Sequence, residues 1–266
     1  MSALDEWRDA LATWALPDEI LTKTRRSPWE FPWELFRRRA EAALDAEPTP
    51  SAARAFEALP GTVLDVGAGP GAAGLAVARR ADHVTAVDQS EEALAIFEEI
   101  ATRAGISHDT LTGTWPDVAP HAPVADVVVC NHVLYNVPNL EPFLQELTAH
   151  GRRRVVCEIT ARHPRAEINV LWKRLHDLDR PTQPIADVAE AAIAELGLSA
   201  RREDWTVRLS PEPRSELLGR LLVELALEPE QEPDLVAALG EDLREVEGGW
   251  SVGSLERNLV TLWWDV

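Results

Sequence analysis

The stretch Val63-Leu64-Asp65-Val66-Gly67-Ala68-Gly69-Pro70-Gly71 constrains this chain more than any other. Residues 62–66 read as a buried strand, and a helix is predicted from about residue 72. The glycines between them let the backbone turn tightly and leave no Cβ to hold a ligand away. The next apolar run, His83-Val84-Thr85-Ala86-Val87-Asp88, ends in a carboxylate 21 residues beyond Gly67. Placed there, it can accept hydrogen bonds from both hydroxyls of a ribose. A Gly-rich strand–helix turn with no ligand is the bland alternative, and the acidic strand end at this distance speaks against it. The pair describes a nucleoside-binding βαβ unit.

At 266 residues, one α/β domain with additions fits better than two equal domains. No apolar stretch approaches the roughly 20 residues that span a bilayer. The start, Met1-Ser2-Ala3-Leu4-Asp5-Glu6, lacks the basic and apolar regions of a signal peptide, so a cytoplasmic protein is expected. The formal charge of −19 repels phosphate backbones and argues against a nucleic-acid partner. Local basic patches, residues 23–26 with 37–39 and residues 152–154, are the exceptions to weigh. Cys130 and Cys157 fall in predicted interior strands as free thiols, and no Cys/His spacing suggests a metal.

Leu4, Trp7, Leu11 and Trp14 share one helical face in residues 2–16, with Ser2 as N-cap. Trp29, Phe31, Trp33 and Phe36 lead into a second helix to about residue 45, and residues 48–50 read as a linker. Residues 1–50 are therefore expected to form a helical cap, either a lid over the site or a strap on the core. From there helices (52–59, 72–80, 91–103, 140–150) alternate with strands (62–66, 83–88, 109–112, 125–130, 153–159). The helix at 140–150 is read as capped by Asn139 and stopped by Gly151. Helices near 166–178 and 187–196, a strand at 203–209 and a last strand at 258–264 complete residues 51–266. The segment of about 211–250 reads as a helical insertion. Such alternation gives a doubly wound parallel sheet that binds ligands at the carboxyl ends of its strands. Five places answer that description: residues 67–71, 88, 113–116, 131–136 and 158–163.

Taken together, these places resemble the class I S-adenosylmethionine-dependent methyltransferases. The matching segments are residues 63–71, Ala86-Val87-Asp88-Gln89-Ser90, Thr112-Gly113-Thr114-Trp115-Pro116-Asp117 and residues 126–137. The likeness covers about residues 51–160 well and does not reach residues 1–50. It implies a Rossmann-like sheet of order 3-2-1-4-5-7-6 with an antiparallel last strand, and S-adenosyl-L-methionine as cofactor. Gly67, Ala68, Gly69 and Gly71 would pass the methionine part of the cofactor, with Asp65 supporting the loop. Asp88 would take the ribose hydroxyls, Gln89 would flank the adenine, and Thr114 and Trp115 would edge it. Asn131 would lie beneath the sulfonium.

Methyl transfer from a sulfonium is an in-line displacement, so alignment is the main task of the enzyme. A general base is needed only where the nucleophile keeps a proton, as an alcohol does. His132, just past the fourth strand, is the candidate base; Tyr135 is a second, and Glu158 and His163 are weaker ones. There is no Asn/Asp-Pro-Pro-Tyr/Phe segment for a base amine, no Pro-Cys nucleophile and no catechol-type metal trio. A small-molecule acceptor is the leading reading. Two others stand beside it: a nicotinamide-dependent oxidoreductase, since Gly67-x-Gly69-x-x-Ala72 also fits a dinucleotide fingerprint, and a non-catalytic cofactor-binding regulator or assembly partner.

Overall fold

In the computed structural model, which describes residues 1–266, β1 (Gly61–Val66) sends Leu64 and Val66 into one apolar layer and Val63 into the opposite one. That alternation is the period of a strand covered on both faces. Around it lie β2 (Ala81–Asp88), β3 (His108–Thr112), β4 (Ala125–Asn131), β5 (Gly151–Thr160), β6 (Arg201–Arg208) and β9 (Glu256–Asp265). They form one sheet of order β3-β2-β1-β4-β5-β9-β6. The first five strands are mutually parallel, and β9 runs antiparallel to both β5 and β6. This is the expected order, with β9 as its seventh strand.

On the face of Leu64 lie α1 (Ala3–Ala12), α7 (Leu140–Ala149) and α9 (Ala186–Glu195). On the face of Val63 lie α3 (Trp33–Ala43), α4 (Pro50–Phe56), α5 (Ala72–Val77) and α6 (Glu91–Arg103). A third apolar cluster joins Leu16 to α8 (Asn169–His176), α10 (Arg214–Glu224) and α11 (Glu232–Leu239), near the short α2 (Asp18–Leu21).

Four local expectations are corrected. Residues 48–50 are more than a linker, because Thr49 caps α4 through the Ala52 N–H (3.2 Å) and Pro50 takes the first helical position. Ser51 is thereby carried onto the helix. Asn139 holds the N-cap position of α7 without a side-chain bond to it. His150 is the C-cap of that helix, and Gly151 already begins β5. The insertion is helical only through Leu239; β7 (Leu243–Val246) and β8 (Gly249–Val252) then form a hairpin.

The N-terminal segment is built into the core. Ser2 caps α1 as expected, through the Asp5 N–H (3.1 Å). Trp7 is fully buried and donates from Nε1 to the Val137 carbonyl at 2.9 Å, behind β4. Trp14 lies past the end of α1 and stacks on His163 (3.6 Å between ring centres), behind β5. Burying one such ring is worth roughly 2–3 kcal/mol.

Cys130 and Cys157 face each other in register across β4 and β5, both free and fully buried. Burial pushes the Cys130 thiol well up, so no thiolate is offered to a reagent. Neither cysteine should react with Ellman's reagent in the folded protein, and both should react in denaturant. Labelling of either one under native conditions would contradict this placement.

Candidate functional site

The turn from β1 to α5 is left-handed three times over, with φ of 69° at Gly67, 52° at Gly69 and 93° at Gly71. A Cβ at Gly67 would lie 2.3 Å from Val133 Cγ2, and one at Gly71 would lie 2.2 Å from Phe97 Cδ2. Those two positions exclude side chains because the protein itself fills the space. A Cβ at Gly69 would meet no atom within 4 Å. Its bareness leaves a cradle open to a ligand. The loop is pinned to β2 by the N–H groups of Gly67 and Ala68, which both donate to the Val87 carbonyl (2.8 and 3.0 Å).

Asp88 closes the cradle. Its Oδ2 accepts from the Gly69 N–H at 2.8 Å and its Oδ1 from the Ser90 N–H at 2.9 Å. A carboxylate has about four lone-pair directions, so each oxygen keeps one for a ligand hydroxyl. Beneath the loop, buried Asp65 accepts from the Gly74 N–H at 2.7 Å, while its Oδ1 has no partner. Burial pushes Asp65 up to about 7, the Gly74 N–H works against that rise, and the charge of Asp88 adds to it. A cationic guest beside Asp65 would relieve that repulsion. At the end of β4 the buried Oδ1 of Asn131 likewise has no partner.

Gln89 and Thr114 lie exposed on the loops after β2 and β3. The Trp115 ring is buried, meets His150 edge-on (5.0 Å) and donates from Nε1 to the Phe143 carbonyl at 3.3 Å. It packs the loop onto α7.

His132 has a left-handed backbone (φ 62°), an uncommon conformation for a residue with a side chain. Its N–H donates to the Glu158 carbonyl at 2.7 Å, and its Nε2 lies 3.0 Å from Glu158 Oε1. The imidazole is half exposed, while Glu158 is buried. Ser51 Oγ donates to Glu158 Oε2 at 2.5 Å and lies 2.7 Å from Thr261 Oγ1. Trp205 Nε1 donates to Thr261 Oγ1 at 3.0 Å. Burial alone would raise the Glu158 carboxyl; the bond and charge of His132, with the Ser51 hydroxyl, outweigh it and hold it below its ordinary value. A buried carboxylate therefore orients a solvent-facing imidazole. Nothing in sequence spacing marks Ser51 or Thr261 as partners of Glu158.

Tyr135 is held differently. Its hydroxyl donates to the Thr160 carbonyl at 2.7 Å, burial raises its pKa, and its ring stacks on Trp7 (5.4 Å). That hydroxyl is committed to the fold, which disfavours it as a base. His163, buried under Trp14, is lowered to about 3 by burial and by the charges of Arg165 and Arg180, so it stays neutral. No group of three or more His, Cys, Asp or Glu side chains is arranged to hold a metal ion. A surface concavity of about 820 Å³ lies between α8 and α11 and shares no residue with these loops.

Residues 63–153 match a family model described as a methyltransferase domain. An uncharacterized protein of Haemophilus influenzae is 31% identical over 103 residues, which cover 38% of this chain and 38% of that protein. Among solved structures, the YcgJ protein of Bacillus subtilis superimposes with a TM-score of 0.53 at 15% identity, over 80% of this chain and 97% of its own. BH2331 of Bacillus halodurans gives 0.51 at 16% identity, with the same two coverages of 80% and 97%. At such identities the likeness to these structures is one of fold.

Proposed function

We propose that this chain, a member of the class I S-adenosylmethionine-dependent methyltransferase family, methylates a small-molecule acceptor, with His132 as general base for a hydroxyl nucleophile. The observation that carries this reading is the His132–Glu158 pair, 3.0 Å apart, immediately after Asn131 at the strand edge that the glycine cradle shares. S-adenosyl-L-methionine, when bound, supplies a methyl group on a positively charged sulfur. Gly69 and Asp88 would hold its nucleoside and methionine portions, and the free oxygens of Asp65 and Asn131 would face its positive charge. Ala68, Gln89 and Thr114 would border it from the loops.

Glu158 accepts the Nε2 proton of His132, which leaves Nδ1 as the ring's free lone pair. An acceptor hydroxyl placed against Nδ1 gives up its proton as its oxygen takes the methyl group. Glu158 acts through the imidazole by fixing its tautomer and direction.

Calorimetry with S-adenosylhomocysteine and with NAD(H) tests the cofactor. Binding of the first alone is expected, and NAD(H) binding alone would favour the oxidoreductase. With a panel of hydroxylated acceptors, His132→Gln should lower kcat by about 10²–10⁴-fold. S-adenosylhomocysteine affinity should stay unchanged. Glu158→Gln should lower kcat without raising KM. Full turnover in His132→Gln would remove the base from the mechanism; cofactor binding without turnover of any acceptor would favour the non-catalytic reading.

A further inference from the structure

We infer that the acceptor carries an anionic group, a carboxylate or a phosphate, and that Arg165 and Arg180 receive it; this rests on the methyl transfer proposed above.

In so acidic a chain, guanidiniums are normally claimed by carboxylates. Arg202, for example, meets Asp187, Glu190 and Asp204 at 2.7–2.8 Å. Arg165 and Arg180 have no such partner. The Arg165 side chain makes no hydrogen bond and no ion pair; it lies 4.2 Å over the ring of Trp29. The one carboxylate whose charge reaches it, Glu224, is already held by Arg220 at 3.1 Å. Arg180 donates only to the carbonyls of Trp14 and Ala15, and its buried Nε has no acceptor at all. It sits between the rings of Trp14 (5.3 Å) and Trp172 (5.5 Å).

Two half-buried positive charges therefore lack a carboxylate partner; burial and then the charge of Arg165 lower Arg180, and burial with the charges of both arginines keeps His163 neutral. Such an arrangement is costly unless an anion completes it. Planar guanidiniums stacked on indoles present their edges to a carboxylate or phosphate in a fixed direction. The place fits the reaction. Arg165 follows the carboxyl end of β5, the strand that carries Glu158, and His163 meets Tyr135 on the His132 loop edge-on at 5.0 Å. The cap contributes Trp14 and Trp29, so the aromatic N-terminal segment would form the wall on which the anion's arginines are set.

The test uses the full chain, with inorganic phosphate and benzoate titrated separately and followed by tryptophan fluorescence, against sodium chloride at matched ionic strength. A saturable response to at least one anion is expected, and which one identifies the chemistry. Arg165→Gln breaks no hydrogen bond, so it should fold, keep S-adenosylhomocysteine affinity and lose about tenfold or more in anion affinity. Arg180→Gln should do the same if it folds. No response beyond chloride, or wild-type anion binding by Arg165→Gln, would overturn the site. A wild-type protein that binds the anion but not S-adenosylhomocysteine would instead sink the methyl-transfer reading and leave the anion site standing.

Discussion

Replacing Gly71 by alanine destabilises the fold by about 2–5 kcal/mol, whereas the same change at Gly69 costs only about 1–2 kcal/mol. Both residues have positive φ, so both substitutions bear the left-handed penalty. Only the new methyl at Gly71 would also meet Phe97, at 2.2 Å, inside the layer beneath α5. Urea unfolding of the two variants measures the difference directly. Binding should invert the ranking among folded material: the Gly69 methyl projects into the open cradle, so Gly69→Ala should stay folded and lose S-adenosylhomocysteine. Unchanged affinity in that variant would mean that the bareness of Gly69 serves no ligand.

Asp88→Ala should weaken S-adenosylhomocysteine binding by about 2–3 kcal/mol, roughly 30- to 160-fold. Part of the expected loss is direct, through the two ribose hydroxyls that the proposed binding mode gives to the carboxylate. Part is indirect, because Gly69 loses its N–H acceptor at 2.8 Å and the cradle loosens. Folding should survive, since Asp88 is only partly buried at the end of its strand. Calorimetry at fixed ionic strength is the measurement, and wild-type affinity would detach Asp88 from the cofactor.

Much of this architecture was legible in the chain because it is local. The run Val127-Val128-Val129 can only be a strand covered on both sides, and Gly67 through Gly71 can only be a turn that keeps side chains away. The β7–β8 hairpin falls at the end of the segment of about 211–250 that reads as helical. Gly248-Gly249, both at positive φ, is its turn signal. Trp115 belongs to a loop, yet its burial is decided by α7, 28 residues further on. The same limit hid Ser51 from Glu158, 107 residues away, and Trp29 from Arg165. Pairings of that kind are products of the sheet order, and no spacing along the chain encodes them.

The position of β9 bears on how the protein is made. It is last in chain order among the strands, yet it lies between β5 and β6. During synthesis from the N-terminus, the glycine cradle, Asp88, His132 and Glu158 all emerge while the far edge of β5 still faces solvent. That edge carries Val155, Val156 and Ile159 in an unpaired strand, a template for joining another chain. Strand β6 has no partner at all until β9 arrives, 48 residues later, counted from Arg208 to Glu256. The nascent protein thus passes through a stage at which its glycine cradle and its His132–Glu158 pair exist and its sheet is open, and one late strand ends that exposure on both sides at once.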